Sequence, residues 1–332
     1  MGTGAGGAAV LPTPACQADP SAVIAALPAR ATFHGSGCYD VPKGILLTKP
    51  VTIDGGTYID SSASLRGQGW PGMKPVILVQ GTRDVTLKNL HVIGGNPAGS
   101  FHAPLVGQAG IKVESSDHVT ITRVTTANTF GDALELWNNW PAEGRPVTNL
   151  VVNGLTVTNA GRQGITPGDV YKAFLTNVRV VSSADSGIDF ESDLAHVGAG
   201  NVTITNSTFR GGSGSTAINM IEYLSGPVAF VDCTLLGHIV VADPQSSFPV
   251  TITSGTIHVP AYDPGTPRAG IFVNTGGTLV ITNVPISLLP HSGTPTGRVW
   301  MALRPANLTF NHSSIAGPPG THDATGIVTV TP

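Results

Sequence analysis

Charge is what this sequence has least of. Lys, Arg, Asp and Glu make up 11% of the 332 residues, less than half of the roughly 25% usual in soluble domains. Long solvated helices need such residues on their outer faces, so a helical bundle or coiled coil is excluded. The 17 basic and 20 acidic residues leave a net charge of -3, without the basic patch or stripe that marks a nucleic-acid partner. No apolar run approaches the ~18 residues of a membrane span. Met1-Gly2-Thr3-Gly4 has neither a basic region nor an apolar core, so a signal peptide is expected to be absent or already removed. Aromatic residues are 6% and cysteines only three, Cys16, Cys38 and Cys233. No pair has the Cys-x-x-Cys spacing of a zinc site. There is no Walker loop, dinucleotide fingerprint or His-Glu-x-x-His run.

What abounds is glycine and proline, 42 and 26 residues, together well above the usual share of roughly 12%. Disorder with that composition comes with low hydrophobicity. Here 41% of residues are hydrophobic, and Val, Ile, Leu and Thr recur in short runs. These features predict an ordered, strand-rich protein with many tight turns.

The runs repeat. A short β run, a polar pivot and a second β run recur with pivots at Asp54, Asn89, Arg123, Asn153, Asn177, Asn206, Asp232, Ser254, Asn283 and Asn311. From Asn89 to Asn311 is 222 residues over eight intervals, a mean near 28. A further run precedes many pivots, as in residues 110–114 (GIKVE), 133–137 (ALELW), 164–168 (GITPG), 187–191 (GIDFE), 217–221 (AINMI), 238–242 (HIVVA) and 270–274 (GIFVN). Three short strands per unit predict a parallel solenoid whose coils stack ~4.8 Å apart. An Asn at a sharp corner tolerates a left-handed backbone and hydrogen-bonds its counterpart one coil away. Propeller blades need about 40 residues, and sandwiches pair in antiparallel hairpins, so neither fits. Asp19-Pro20-Ser21 opens a short helix, placed to cap the open N-terminal end. Cys16 and Cys38, 22 apart, flank that stretch and are expected to form a disulfide, with two buried thiols as the alternative. Cys233 reads as core.

With its corner asparagines and Gly-Ile runs, the chain resembles the right-handed parallel β-helix proteins of the pectin-lyase-like superfamily over residues 41–332. The expected fold is all-β, a single-stranded right-handed parallel β-helix of about ten coils with a short N-terminal capping helix. Residues 1–40 form the N-terminal segment and cap, and 41–332 the solenoid.

Acidic residues concentrate where chemistry is expected: residues 112–223 hold 11 of the 20. Aligned on Ile111, Leu134, Ile165, Ile188 and Ile218, strand alternation turns Lys112 and Glu114, Glu135 and Trp137, Thr166 and Gly168, and Asp189 and Glu191 outward. This predicts a trough floored by Thr166 and Gly168, walled by Glu135 on one side and Asp189 and Glu191 on the other, with Asp169 at a strand end. Arg162-Gln163-Gly164-Ile165 and Gly187-Ile188-Asp189-Phe190-Glu191 resemble a signature of tailspike-type β-helix proteins that act on glycans. The polygalacturonase set (paired Asp-Asp, Gly-His-Gly, Arg-x-Lys) is missing, as is a clear Ca²⁺ cluster with an Arg base, although Arg162 is a candidate for that base.

The candidate catalytic residues are therefore Asp189, Glu191, Glu135 and Asp169. The candidate substrate contacts are Arg162, Gln163, Trp137, Thr166, Lys172 and Tyr223, with Trp140 and His196 nearby. Plainer readings stand beside them: Glu135 paired with Lys112, Asp169 ending a strand, Arg162 bridging Asp132 or Asp185. The leading expectation is a secreted, extracellular inverting glycoside hydrolase acting on a polysaccharide or oligosaccharide. It needs no cofactor or metal, binds no nucleic acid or membrane, and is a monomer or small homo-oligomer. The alternatives are a polysaccharide lyase on the same fold, with Ca²⁺, and a non-catalytic glycan-binding or structural solenoid.

Overall fold

Alternating β-branched residues place one side chain of each pair inside a coil, and the coils stack on one another. The computed structural model describes residues 16–60, 75–138, 145–192, 198–211, 216–221, 223–242, 248–260, 270–274, 276–288, 300–302, 306–316 and 327–331. Among the described residues, ten strands form one parallel sheet in chain order, including Ile111–Glu114, Leu134–Trp137, Ile165–Pro167, Ile188–Phe190, Thr216–Met220, His238–Ala242 and Ile271–Asn274. The other described strands build a second, 19-stranded parallel array that closes each coil. Within it, Asp117–Thr129 and Val147–Ala160 run through a corner unbroken.

Successive coils are in register. Ile111 pairs with Leu134, Leu134 with Ile165, Ile165 with Ile188 and Ile188 with Ile218, as the sequence alignment of the coils predicts. These residues are fully buried, and each contributes roughly 1.5–3 kcal/mol by leaving water. Phe230 sits among them, edge-on to Phe190 and Phe209 at centroid distances of 6.4 and 6.1 Å.

The corners behave as the pivots predict, with one adjustment of phase. Asn89, Arg123, Asn177, Asn206, Asp232, Ser254 and Asn283 all have positive φ. At Asp54, Asn153 and Asn311 the left-handed residue is the next one, Gly55, Gly154 or His312. The side chains still link coil to coil: Asn89 Nδ2 donates to Asp54 Oδ1 at 2.6 Å, Arg123 Nε to Asn89 Oδ1 at 2.8 Å, and Asn177 Nδ2 to Asn153 Oδ1 at 3.0 Å. A second left-handed column, Asp84, His118, Asn149, Lys172 and Asn201, marks another corner.

Helix Ser21–Ala26 covers the N-terminal end, burying Ile24 against the core. Asp19 Oδ1 accepts the Ser21 backbone N–H at 2.8 Å. Cys16 and Cys38 are bonded, with Cα atoms 4.8 Å apart, and Cys233 is buried and free. Parallel pairing of coils begins at Thr32–His34 and Cys38–Asp40, ahead of residue 41.

Candidate active site

The outward positions of the ten-stranded sheet form a continuous column. Lys112 pairs with Glu135 and Glu135 with Thr166. The Ile165–Ile188 pair brings Asp189 into the next place, and Asp189 pairs with Asn219. Val240 and Phe272 follow. Glu135 and Asp189 stand two coils apart, about 9–10 Å between backbones.

Alternation predicts solvent on this face. Instead Lys112, Glu114, Glu135, Thr166 and Asp189 are buried, and their charges are resolved in two groups. In the first, Lys112 Nζ lies 3.1 Å from Glu114 Oε1 and 2.9 Å from Glu135 Oε1. Gln80 Nε2 donates to Glu114 Oε2 at 2.8 Å. Burial alone would lower the Lys112 pKa, but the two carboxylates reverse that and raise it. Glu135 is thus the partner of a buried ammonium, the plainer of its two readings.

The second group is centred on Asp132, which the sequence offers only as a possible partner of Arg162. Asp132 is fully buried. Its Oδ1 accepts the Gln163 backbone N–H at 3.1 Å, and its Oδ2 lies 2.6 Å from Thr166 Oγ1 and 3.4 Å from Arg162 Nη1. Burial raises its pKa, Arg162 opposes the rise and Glu135 adds to it. Thr166 Oγ1 also bonds Gln163 Oε1. Thr166 is thus the hydroxyl donor between Asp132 and Gln163, and Gln163 Nε2 in turn donates to Asp189 Oδ2, so the buried acid and Asp189 are joined through one chain of side chains.

Asp189 is 3% exposed, and Asn219 Nδ2 donates to its Oδ1 at 3.0 Å. Burial, the main cause, pushes its pKa up to about 8, the Glu191 and Asp185 charges add to that, and Asn219 and Arg162 pull it back. Glu191 is partly exposed and paired with Arg162 Nη2. Arg162 therefore bridges Asp132 and Glu191, which raises its pKa further although burial opposes this. The result is two carboxyl groups in unlike settings on one strand: Asp189 buried with its pKa raised, Glu191 partly exposed and paired with a guanidinium.

A cavity of about 480 Å³ opens over these groups, lined by Arg162, Gln163, Asp185, Asp189, Glu191 and Asn219. It extends from Asp189 toward the C-terminal coils, not back toward Glu135. The expected trough between Glu135 and Asp189 is instead filled: Thr166 is buried beneath Asp132 and Gln163, and the Trp137 ring lies against Gly168 so closely that a Cβ has no room there.

Three further residues fall outside the cavity. Asp169 is fully buried, and its Oδ1 accepts the Gly198 backbone N–H at 2.9 Å, which anchors a turn. Lys172 belongs to strand Val170–Thr176 of the other array, is exposed at a left-handed corner with φ 61°, and has its ammonium 5.8 Å from the Tyr171 ring centroid. Tyr223 packs on Gly198, and its carbonyl accepts the Ser192 hydroxyl at 3.0 Å. Trp140 and His196 lie outside the described residues. Among the described residues no group of three or more His, Cys, Asp or Glu has the geometry of a metal site.

The fold is a right-handed parallel β-helix. A family model described as "Right handed beta helix region" matches residues 75–238, the segment that carries every member of the Asp132–Asp189 network. Among solved structures, the chain is similar to an endo-xylogalacturonan hydrolase from Aspergillus tubingensis, with 12% identity, a TM-score of 0.60, and coverage of 88% of this chain and 86% of that one. It is also similar to the tailspike protein gp49 from Pseudomonas phage LKA1, with 13% identity, a TM-score of 0.57, and coverage of 90% of this chain and 50% of that one. A third is the enzymatically active domain of tailspike protein 2 from bacteriophage CBA120, at 12% identity, a TM-score of 0.54, and 86% and 47% coverage. The chain thus spans about half the length of the two tailspikes. No curated protein matches its sequence significantly.

Proposed function

We propose that this β-helix is a carbohydrate-active enzyme, a glycoside hydrolase with Asp189 as general acid and Glu191 as general base. The observation that carries the reading is the unlike setting of two carboxyls at the floor of one cavity: burial raises the Asp189 pKa, as a general acid requires, while Glu191 is partly exposed and ion-paired with Arg162. Asp189 gives its proton to the glycosidic oxygen as the bond to the anomeric carbon breaks. Glu191 takes a proton from water as the water oxygen bonds that carbon. Residues two apart on an extended strand stand about 6.5–7 Å apart, at the lower edge of the roughly 6.5–9.5 Å that inverting enzymes use, which favours inversion. Arg162 holds Glu191 in an ion pair, and Gln163 and Asn219 fix the Asp189 carboxyl.

The named activities of the similar structures, a xylogalacturonan hydrolase and an enzymatically active tailspike domain, support a polysaccharide or oligosaccharide as substrate. Fold alone does not choose a reaction. A lyase needs a base, and Arg162 is the candidate, but its guanidinium is held protonated between Asp132 and Glu191. That favours hydrolysis. The Cys16–Cys38 bond supports an oxidising, extracellular location.

Screening a broad glycan panel, with product stereochemistry read by NMR, tests this directly. Hydrolysis with inversion is expected. An unsaturated product absorbing in the ultraviolet overturns the hydrolase in favour of the lyase, and no product from any glycan favours the non-catalytic solenoid.

A further inference from the structure

Beyond Asp189 the column of outward residues changes character. Asn219 is the last polar member. Val240 and then Phe272 follow one coil at a time, so Phe272 stands three coils, about 14–15 Å, from Asp189. In the neighbouring outward column Ile221 is 46% exposed, and across the mouth of the cavity Phe101 is 55% exposed. Both line the cavity together with Val240, Ala242 and Phe272. Large apolar side chains exposed together around a concavity, with polar groups converging at one end, are the makings of a ligand site.

Charge narrows the ligand. Among the described residues that line the cavity, Arg162 is the one cation, against Asp185, Asp189 and Glu191. Arg162 is already bonded to Asp132 and Glu191. A uronate carboxylate lying along this floor would meet no uncommitted cation and would lose its hydration over an apolar surface, a cost that goes unrecovered without pairing. The ring C–H faces of an uncharged sugar lose little by the same transfer, and aromatic side chains add specific contact area.

We infer that the shelf of Val240, Ala242 and Phe272, rimmed by Phe101 and Ile221, is a subsite for the apolar faces of an uncharged glycan. The glycan enters the site from the C-terminal coils and ends its path at Asp189. This rests on the hydrolase reading of Asp189 and goes further by naming the substrate class and its direction along the solenoid.

The test separates binding from turnover. The D189N variant is titrated against an array of defined neutral and uronic-acid oligosaccharides, and each ligand it binds is offered to the wild type. The expected ligands are uncharged. F272A and F101A should each raise Kd, and KM in the wild-type background, about tenfold or more, with a smaller change in kcat. Phe101 is exposed and Phe272 faces outward, so neither truncation opens the core, and unchanged melting verifies this. Preferential binding of uronates overturns the subsite, as does neutral-glycan binding indifferent to both truncations; wild-type cleavage of the bound glycan then leaves the hydrolase reading intact. Binding that depends on Phe272 but is never followed by wild-type cleavage supports the subsite and overturns the hydrolase. Binding to no oligosaccharide overturns both.

Discussion

A carboxyl group reports its surroundings through its proton. Asp189 is pushed up to about 8 by burial, whereas in an unfolded chain it titrates near about 3.9. As the general acid it must be protonated, so kcat should fall as pH rises through about 8. Between roughly pH 4 and 8 the folded protein keeps a proton that the unfolded chain has lost, so this group's stabilisation is full below about 4 and is lost as pH rises through the folded value. The D189N variant should lack turnover, melt close to the wild type at neutral pH, and show a flatter loss of stability over that window. Some slope should remain, because burial raises Asp132 as well. Wild-type turnover by D189N would falsify the assignment. Gln163→Ala removes a donor that favours the ionised form of Asp189, so the alkaline limb of the kcat profile should move to higher pH. A limb that stays in place would mean that Gln163 does not act on the Asp189 proton.

At the scale of the strand and corner, the structure converts neighbours in space into single units. Phe230 joins two aromatic contacts across coils, and its truncation to Ala should cost about 3–5 kcal/mol, read as a lowered denaturation midpoint. Gly168 has no room for a Cβ against the Trp137 ring and the Glu191 carbonyl. Gly168→Ala should therefore displace Trp137 and change its fluorescence while leaving the inner core packed; an unchanged emission spectrum would show that the ring is not held there. The corner columns explain why Lys172 misled. In the sequence it is a cation between the acids, but in space it takes the left-handed position that His118, Asn149 and Asn201 take in other coils. Nothing in the pattern VYKAFL marks that position, because the column is otherwise Asn, Asp and His. Asp132 was missed for the opposite reason. It lies before its strand, and only the closed coil turns it beneath Arg162, Gln163 and Thr166.

For the whole molecule, the open ends of the stack are the weak points, since a solenoid's coils are stabilised mainly by their neighbours. The Cys16–Cys38 bond closes a separation of 22 residues beside the capping helix. Reduction should lower stability by about 3 kcal/mol on a chain-entropy reckoning, seen as a drop in thermal midpoint. An unchanged midpoint would show that the cap contributes nothing to the stack.

The repeat was legible in the linear chain because each coil must bury its own alternating residues, and the corner asparagines, the Gly-Ile runs and the capping helix are local requirements of that geometry. The register of the carboxylates followed from the same periodicity, and Asp189 and Glu191 line one cavity, though Asp189 is buried where alternation predicts solvent. Tertiary structure alone decided which of the acids would titrate unusually and where the cavity would open. Burial and pairing come from residues 20 to 35 positions apart: Lys112 pairs with Glu135, Gly198 claims Asp169, Asp132 and Glu191 share Arg162, and Gln163 bonds Asp189. Alternation specifies which way a side chain points. The desolvation and charge around it belong to the stacked coils, because they depend on groups that the chain brings together only when it closes.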